Sequence, residues 1–159
     1  MDSPDHGVVP LHVLLVEDSP GDVKLTMEAF RSANPSLHLH VAGDGFEALS
    51  FLRSATAPRP DLVLLDLNLP KMDGLHLLAQ MKRDEGLKSI PAVILTTSAA
   101  EVDVTKCYQL HANSYFTKPI ELADFEALVK TINNFWLTLA KLPPQGTQRS
   151  SLLIPAKST

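Results

Sequence analysis

The chain has 159 residues, of which 45% are hydrophobic and 20% charged, with a formal net charge of −4. That is enough for one domain with a real core, and the acidic balance argues against broad nucleic-acid binding, which relies on Lys and Arg at phosphates. A single cysteine, Cys107, excludes an intrachain disulfide and any cysteine-based metal spacing. No apolar run approaches the ~18 residues of a membrane span, so no membrane partner is expected. Residues 1–10 carry Asp2 and Asp5, lack a basic region and do not read as a signal peptide, so a cytoplasmic protein is the expectation.

Short apolar runs alternate with helical patterns along the rest. Val13 to Val16 is a near-continuous β-branched run, as expected of a strand buried on both faces. A helix is predicted from Gly21 to Ala33, with Val23, Met27 and Phe30 on one face. Leu37 to Val41 reads as a second strand, and Gly45 to Leu52 as a helix presenting Phe46, Leu49 and Leu52. Leu62 to Leu65 is the third strand, Leu75 to Met81 begins the third helix, and Ala92 to Leu95 is the fourth strand. A less regular helix covers Glu101 to Leu110, and Ser114 to Phe116 is the fifth strand. The last helix, Leu122 to Leu142, carries Leu122, Phe125, Leu128, Val129, Ile132, Phe135, Trp136 and Leu139 at steps of three and four, read as a core-facing stripe. Pro143-Pro144 ends it. Residues 143–159 are expected to be a mobile tail apart from the apolar triplet Leu152-Leu153-Ile154, with no output domain.

Helical connections between apolar strands imply parallel pairing. Right-handed crossovers on both faces then give an α/β, doubly wound, five-stranded parallel sheet in a three-layer sandwich over residues 11–142. In such sheets functional groups gather at the carboxyl ends of the strands. That rule selects Glu17-Asp18 after strand one, Asp66 after strand three, Thr96 after strand four and Lys118-Pro119 after strand five. Three carboxylates on one rim repel each other unless a cation sits among them. Mg²⁺, a hard ion that takes oxygen ligands and bridges to phosphate, suits them. Asp66 is then a candidate nucleophile, with Thr96 donating to a phosphoryl oxygen and Lys118 neutralising another.

The stretches Val13-Leu-Leu-Val-Glu17-Asp18-Ser-Pro, Leu64-Leu-Asp66-Leu-Asn-Leu-Pro70-Lys-Met-Asp73-Gly74, Leu95-Thr96-Thr-Ser98 and Tyr115-Phe-Thr-Lys118-Pro119 resemble the receiver domains of two-component response regulators. The resemblance implies a flavodoxin-like fold and phosphoryl transfer from a sensor histidine kinase to Asp66. Glu17, Asp18, Asp66 and the Asn68 carbonyl would organise Mg²⁺. Thr96 and Tyr115 would form a switch pair, and Lys118 would precede a cis Pro119. Such a domain catalyses only its own phosphorylation and dephosphorylation. A narrower likeness, in Gln109-Leu-His-Ala-Asn-Ser-Tyr and Phe135-Trp-Leu-Thr followed by Leu142-Pro-Pro, is to single-domain regulators paired with phytochrome-type kinases. A bacteriophytochrome partner is therefore expected.

Other readings fit less well. A haloacid-dehalogenase phosphatase needs a second Asp two residues after its nucleophile, where this chain has Asn68. A flavin carrier would find its phosphate repelled by Glu17-Asp18. A receiver-like module that binds without phosphorylation is the remaining alternative. Tyr115 either covers the sheet edge or couples to Thr96. Phe135, Trp136 and Leu137 are candidates for a homodimer or partner surface, against packing onto the tail. Asp44-Gly45 and Asp73-Gly74 read as helix entries, and the six histidines as surface residues, with only His38 and His40 sharing a strand face.

Overall fold

The computed structural model of the chain describes residues 10–139. Five parallel strands, β1 (His12–Val16), β2 (His38–Ala42), β3 (Leu62–Leu65), β4 (Ala92–Thr96) and β5 (Ser114–Thr117), form one sheet in the order β2-β1-β3-β4-β5. The helices between and after them are α1 (Pro20–Ala33), α2 (Gly45–Arg53), α3 (Gly74–Arg83), α4 (Glu101–Gln109) and α5 (Leu122–Asn134). The doubly wound sandwich expected from the alternation, and the flavodoxin-like fold that the resemblance implied, are the ones found, with β3 and β4 wholly buried and β1 buried beyond His12.

Side chains of successive strand residues leave the sheet on opposite faces, so two cores form. Leu14, Val16, Val63, Leu65 and Ile94 pack against Leu49 of α2, Leu77, Leu78 and Met81 of α3, and Cys107 of α4. Val13, Leu15, Leu62, Leu64, Val93 and Leu95 pack against Phe30 of α1 and Phe125, Val129 and Ile132 of α5. Burial also pushes the Cys107 thiol up to about 11, so it is packed and unreactive.

Helix entries follow local chemistry. Ser19, Asp44 and Asp73 cap α1, α2 and α3 by accepting from the amides of Asp22, Glu47 and His76. Gly74 is required for another reason. A Cβ there would lie 2.6 Å from Leu67 Cα and still nearer the Asp66 carbonyl, so only glycine lets α3 start against the backbone that carries Asp66.

Several expectations are corrected. Phe46, at 58% exposed, lies off the buried face of α2, which Gly45, Ala48 and Leu49 make. Leu122 and Phe135, both 53% exposed, lie at the ends of the apolar stripe and beyond the sheet they were expected to cover. The regular helix stops at Asn134, and Phe135–Leu139 is a π-helical turn. That widened turn sends Leu137 into the α1–α5 core, so it is no part of a surface, whereas Trp136 is half-buried and stacks edge-on against Phe135 at 5.2 Å. Residues 1–9, the expected last turn to Leu142 and the tail 143–159 with Leu152-Leu153-Ile154 lie outside the described residues.

The histidines are not dispersed. His12 of β1 is in register with His38 of β2, and its ring stacks on those of His38 (4.9 Å) and His40 (5.2 Å). His12 Nδ1 and His40 Nε2 share a hydrogen bond of 3.0 Å, and Phe51 of α2 covers His40. Burial first, then repulsion from the neighbouring imidazoles, holds His12 and His40 below the ordinary value, with Asp61 opposing this at His12.

Replacing Gly74 by Ala is expected to cost about 2 kcal/mol of stability by overpacking, measured by urea unfolding. The histidines give a pH prediction. The folded chain takes up their protons less readily than the unfolded chain, so stability is full above about pH 6.5 and falls as the pH drops below it. Melting temperatures from about pH 8 to about pH 5 should show this loss, and it should shrink in a His12→Gln/His40→Gln variant.

Candidate functional site

Glu17, Asp18, Asp66, Asn68, Thr96, Lys118 and Pro119 sit on the rim where the strands end, Tyr115 lies within β5 and the 135–137 segment lies elsewhere, and the backbone explains why. The Glu17 amide donates to the Ala42 carbonyl (2.9 Å), that of Asp66 to Val16 (3.0 Å), and that of Lys118 to Thr96 (2.7 Å). Sheet bonding thus extends one residue past each apolar run and fixes the first polar residue after it. Ligating oxygens of Glu17, Asp18 and Asp66 all lie within 4.8 Å of one another. Glu17 and Asp66 are buried and Asp18 is exposed, so the trio opens to solvent on one side.

Asp66 is held from three directions. Thr96 Oγ1 donates to its Oδ1 at 2.7 Å, the Asn68 amide to the same oxygen at 3.1 Å, and Lys118 Nζ to its Oδ2 at 3.0 Å. Burial alone would raise its pKa, but these donors outweigh it and keep the carboxyl below the ordinary value. Glu17 is pushed the other way, because burial outweighs its bond from Lys118. The Lys118 ammonium, also buried, is bonded to Glu17 (2.5 Å), Asp22 (2.7 Å) and Asp66. Burial alone would lower its pKa, and those three carboxylates instead hold it above the ordinary value and firmly charged.

Asp22 is the site residue that sequence reading missed. It lies in the first turn of α1, where an acidic residue is ordinary helix-dipole chemistry. Its distance from Lys118 in the chain hid the pairing. The signal available was position: the Ser19 cap places Asp22 on the rim beside Glu17.

Tyr115, half-buried within β5, donates to the Ser98 carbonyl at 2.7 Å, while Ser98 Oγ donates to Asp103 at 2.6 Å. Thr96 is fully buried one strand away. The expected cis bond before Pro119 is overturned, since the described residues contain no cis peptide. The trans form is the intrinsic preference of an X–Pro bond, and from it Lys118 already reaches all three carboxylates. A cleft of about 250 Å³ opens next to Lys118, lined by Asp22, Leu25, Thr97, Pro119 and Phe125, with Ile120 99% exposed on its rim.

A parallel sheet with an acidic trio, a buried lysine and a buried threonine at its carboxyl edge defines a phosphoryl-accepting signalling domain. The response regulator receiver domain model matches residues 13–130, and the chain belongs to that family. Response regulator Rcp1 of Synechocystis is 43% identical over 143 residues, covering 87% of this chain and 97% of Rcp1. Among solved structures, the phosphorylated cyanobacterial phytochrome response regulator RcpA superposes with a TM-score of 0.83 at 44% identity, covering 86% of this chain and all of RcpA. The Mn²⁺-bound form of Rcp1 gives 0.81 at 44% identity, covering 85% of this chain and all of that one. The chain is thus a response-regulator receiver similar to regulators named for phytochrome signalling, and a divalent metal at the acidic pocket is consistent with that class. No described helix is long and apolar enough to cross a membrane.

Lys118→Met should leave the carboxylates buried without their counter-charge and lower stability by about 3 kcal/mol in the presence of a chelator. Mg²⁺ should restore more stability to this variant than it adds to the parent chain, as read by thermal melts with and without the ion.

Proposed function

We propose that Asp66 accepts a phosphoryl group from the phosphohistidine of a sensor histidine kinase, with Mg²⁺ as the metal, in a phytochrome-type light-signalling pathway. The observation that carries this reading is Asp66 itself: a carboxylate kept ionised, with one oxygen bonded to Thr96 and Asn68 and the other to Lys118. The relatives named for phytochrome signalling point to the light-sensing input, and the exposed Ile120 beside the cleft supports docking of a partner next to the rim.

The donor set fits a hard divalent ion, because three carboxylates face one another with a single lysine among them. Glu17, Asp18, Asp66 and the Asn68 carbonyl would hold Mg²⁺, which would supply positive charge to offset that of the phosphoryl oxygens. An Asp66 carboxylate oxygen attacks phosphorus in line, the phosphorus–nitrogen bond breaks, and its electron pair returns to the imidazole. Lys118 turns from Glu17 and Asp22 toward the new phosphoryl group, and Thr96 transfers its hydrogen bond from the carboxylate to a phosphoryl oxygen. Tyr115 then leaves the Ser98 carbonyl for the space that Thr96 gives up. This alters the surface of α4, β5 and α5, and the half-exposed pair Phe135 and Trp136 on the turn after α5 supports a homodimer contact. The same site returns the phosphoryl group to water, so the chain catalyses only its own phosphorylation and dephosphorylation, in the cytoplasm.

Incubation with Mg²⁺ and acetyl phosphate should add one phosphate to the intact mass, and Asp66→Asn should abolish the gain while its circular dichroism stays native. Size-exclusion elution of the phosphorylated chain should shift toward a dimer. Acid-labile phosphate in the Asp66→Asn protein would refute the assignment. No mass gain in a folded, Mg²⁺-loaded parent chain would favour a module that binds without phosphorylation.

A further inference from the structure

The histidine cluster plays no part in phosphoryl transfer. His12 begins β1 and His38 begins β2, whereas Asp66 follows the end of β3, so in a parallel sheet the cluster starts at the opposite end from the acidic rim. We propose that His12, His40 and His38 bind a late first-row divalent cation of the zinc class. Three observations carry the proposal.

First, the donors converge. His38 and His40 are two apart on β2 and share a face, and His12 stands in register with His38 on the neighbouring strand. His12 Nδ1 and His40 Nε2 are 3.0 Å apart. Two nitrogens bound at about 2.0–2.1 Å to a tetrahedral ion stand about 3.3 Å apart, so a few tenths of an ångström separate the resting pair from a chelating one. When the ion enters, the proton that the two rings share moves to the outer nitrogen of its own ring, and both lone pairs become available. Second, the Asp61 carboxylate, which accepts from the His12 amide at 3.0 Å, adds negative potential beside the rings. Third, the site is open. β2 is an edge strand and His38 is exposed, so its ring can leave the stack on His12 and supply a third nitrogen, with water completing the set. Among the described residues only Glu17, Asp18 and Asp66 already hold three ligating atoms within 4.8 Å. The histidine site has two of its nitrogens in place and takes the third from this rotation. Its chemistry also separates it from that trio: nitrogen donors select zinc-class ions, and the carboxylates select Mg²⁺.

The test titrates ZnCl₂ calorimetrically into the full chain held in saturating Mg²⁺, so that the acidic rim is already occupied. One Zn²⁺ per chain should bind, and the imidazole NMR signals of His12 and His40 should shift together. His40→Gln should weaken binding by a factor on the order of 100, because loss of one arm of a chelate forfeits its effective concentration. His12→Gln should do the same, and neither should change phosphate uptake from acetyl phosphate. Equal affinity in parent and variants would overturn the proposal. So would binding that is lost in Asp66→Asn and retained in His40→Gln, which would assign the zinc to the acidic rim. If either variant melts too low to titrate, the imidazole signals of the parent chain decide: Zn²⁺ uptake that leaves them unmoved refutes the site.

Discussion

Lys118 is the only cation that bonds to the three carboxylates Glu17, Asp22 and Asp66 among the described residues, and it does so from a buried position. An isolated buried carboxylate would neutralise itself by taking up a proton, and two such groups side by side would do so more readily. At Asp66 the Thr96 hydroxyl and the lysine together prevent that, the lysine supplying the site's positive charge. The same ammonium welds the loop after β5 to the loop after β1 and to the start of α1, so the charge balance of the site is also a structural tie. On the proposed reading a metal ion would compete for those same oxygens, and the exchange would free Lys118 to meet a phosphoryl group.

The backbone serves this balance at close range. α3 starts so near the residues that follow β3 that no side chain larger than hydrogen fits at Gly74. The Asp66 carbonyl is thereby boxed in, its carboxylate is aimed at Thr96 and Lys118, and its amide is spent on Val16. On the β4–β5 side the Tyr115 hydroxyl rests on the Ser98 carbonyl, and Ser98 Oγ ties that loop to Asp103 of α4.

The two ends of the sheet divide their chemistry by charge type. Oxygen donors crowd the carboxyl edge, and imidazoles crowd the beginning of β1 and β2, where repulsion and burial work against protonation. At both ends strand register adds a like group from another strand: Asp66 beside Glu17-Asp18, and His12 beside His38 and His40. Each site therefore places a cost on the fold that a cation relieves.

By itself, the sequence determined the element order, the parallel sheet and the short list of groups after strands one, three, four and five. Apolar runs four or five residues long can be buried only as central strands, and the first polar residue after each must then lie on the rim. It also determined the helix entries at Asp44-Gly45 and Asp73-Gly74, because capping is a local interaction. Only the tertiary structure decided that Asp22 shares Lys118, that Leu137 turns inward while Phe135 stays out, that the Lys118–Pro119 bond is trans, and that His12 slots against His38 and His40. Each of these depends on cross-chain register or on the phase of a distorted helix turn. Periodicity carries neither, because it reports which face a residue takes on its own element and not which residue of another element it meets.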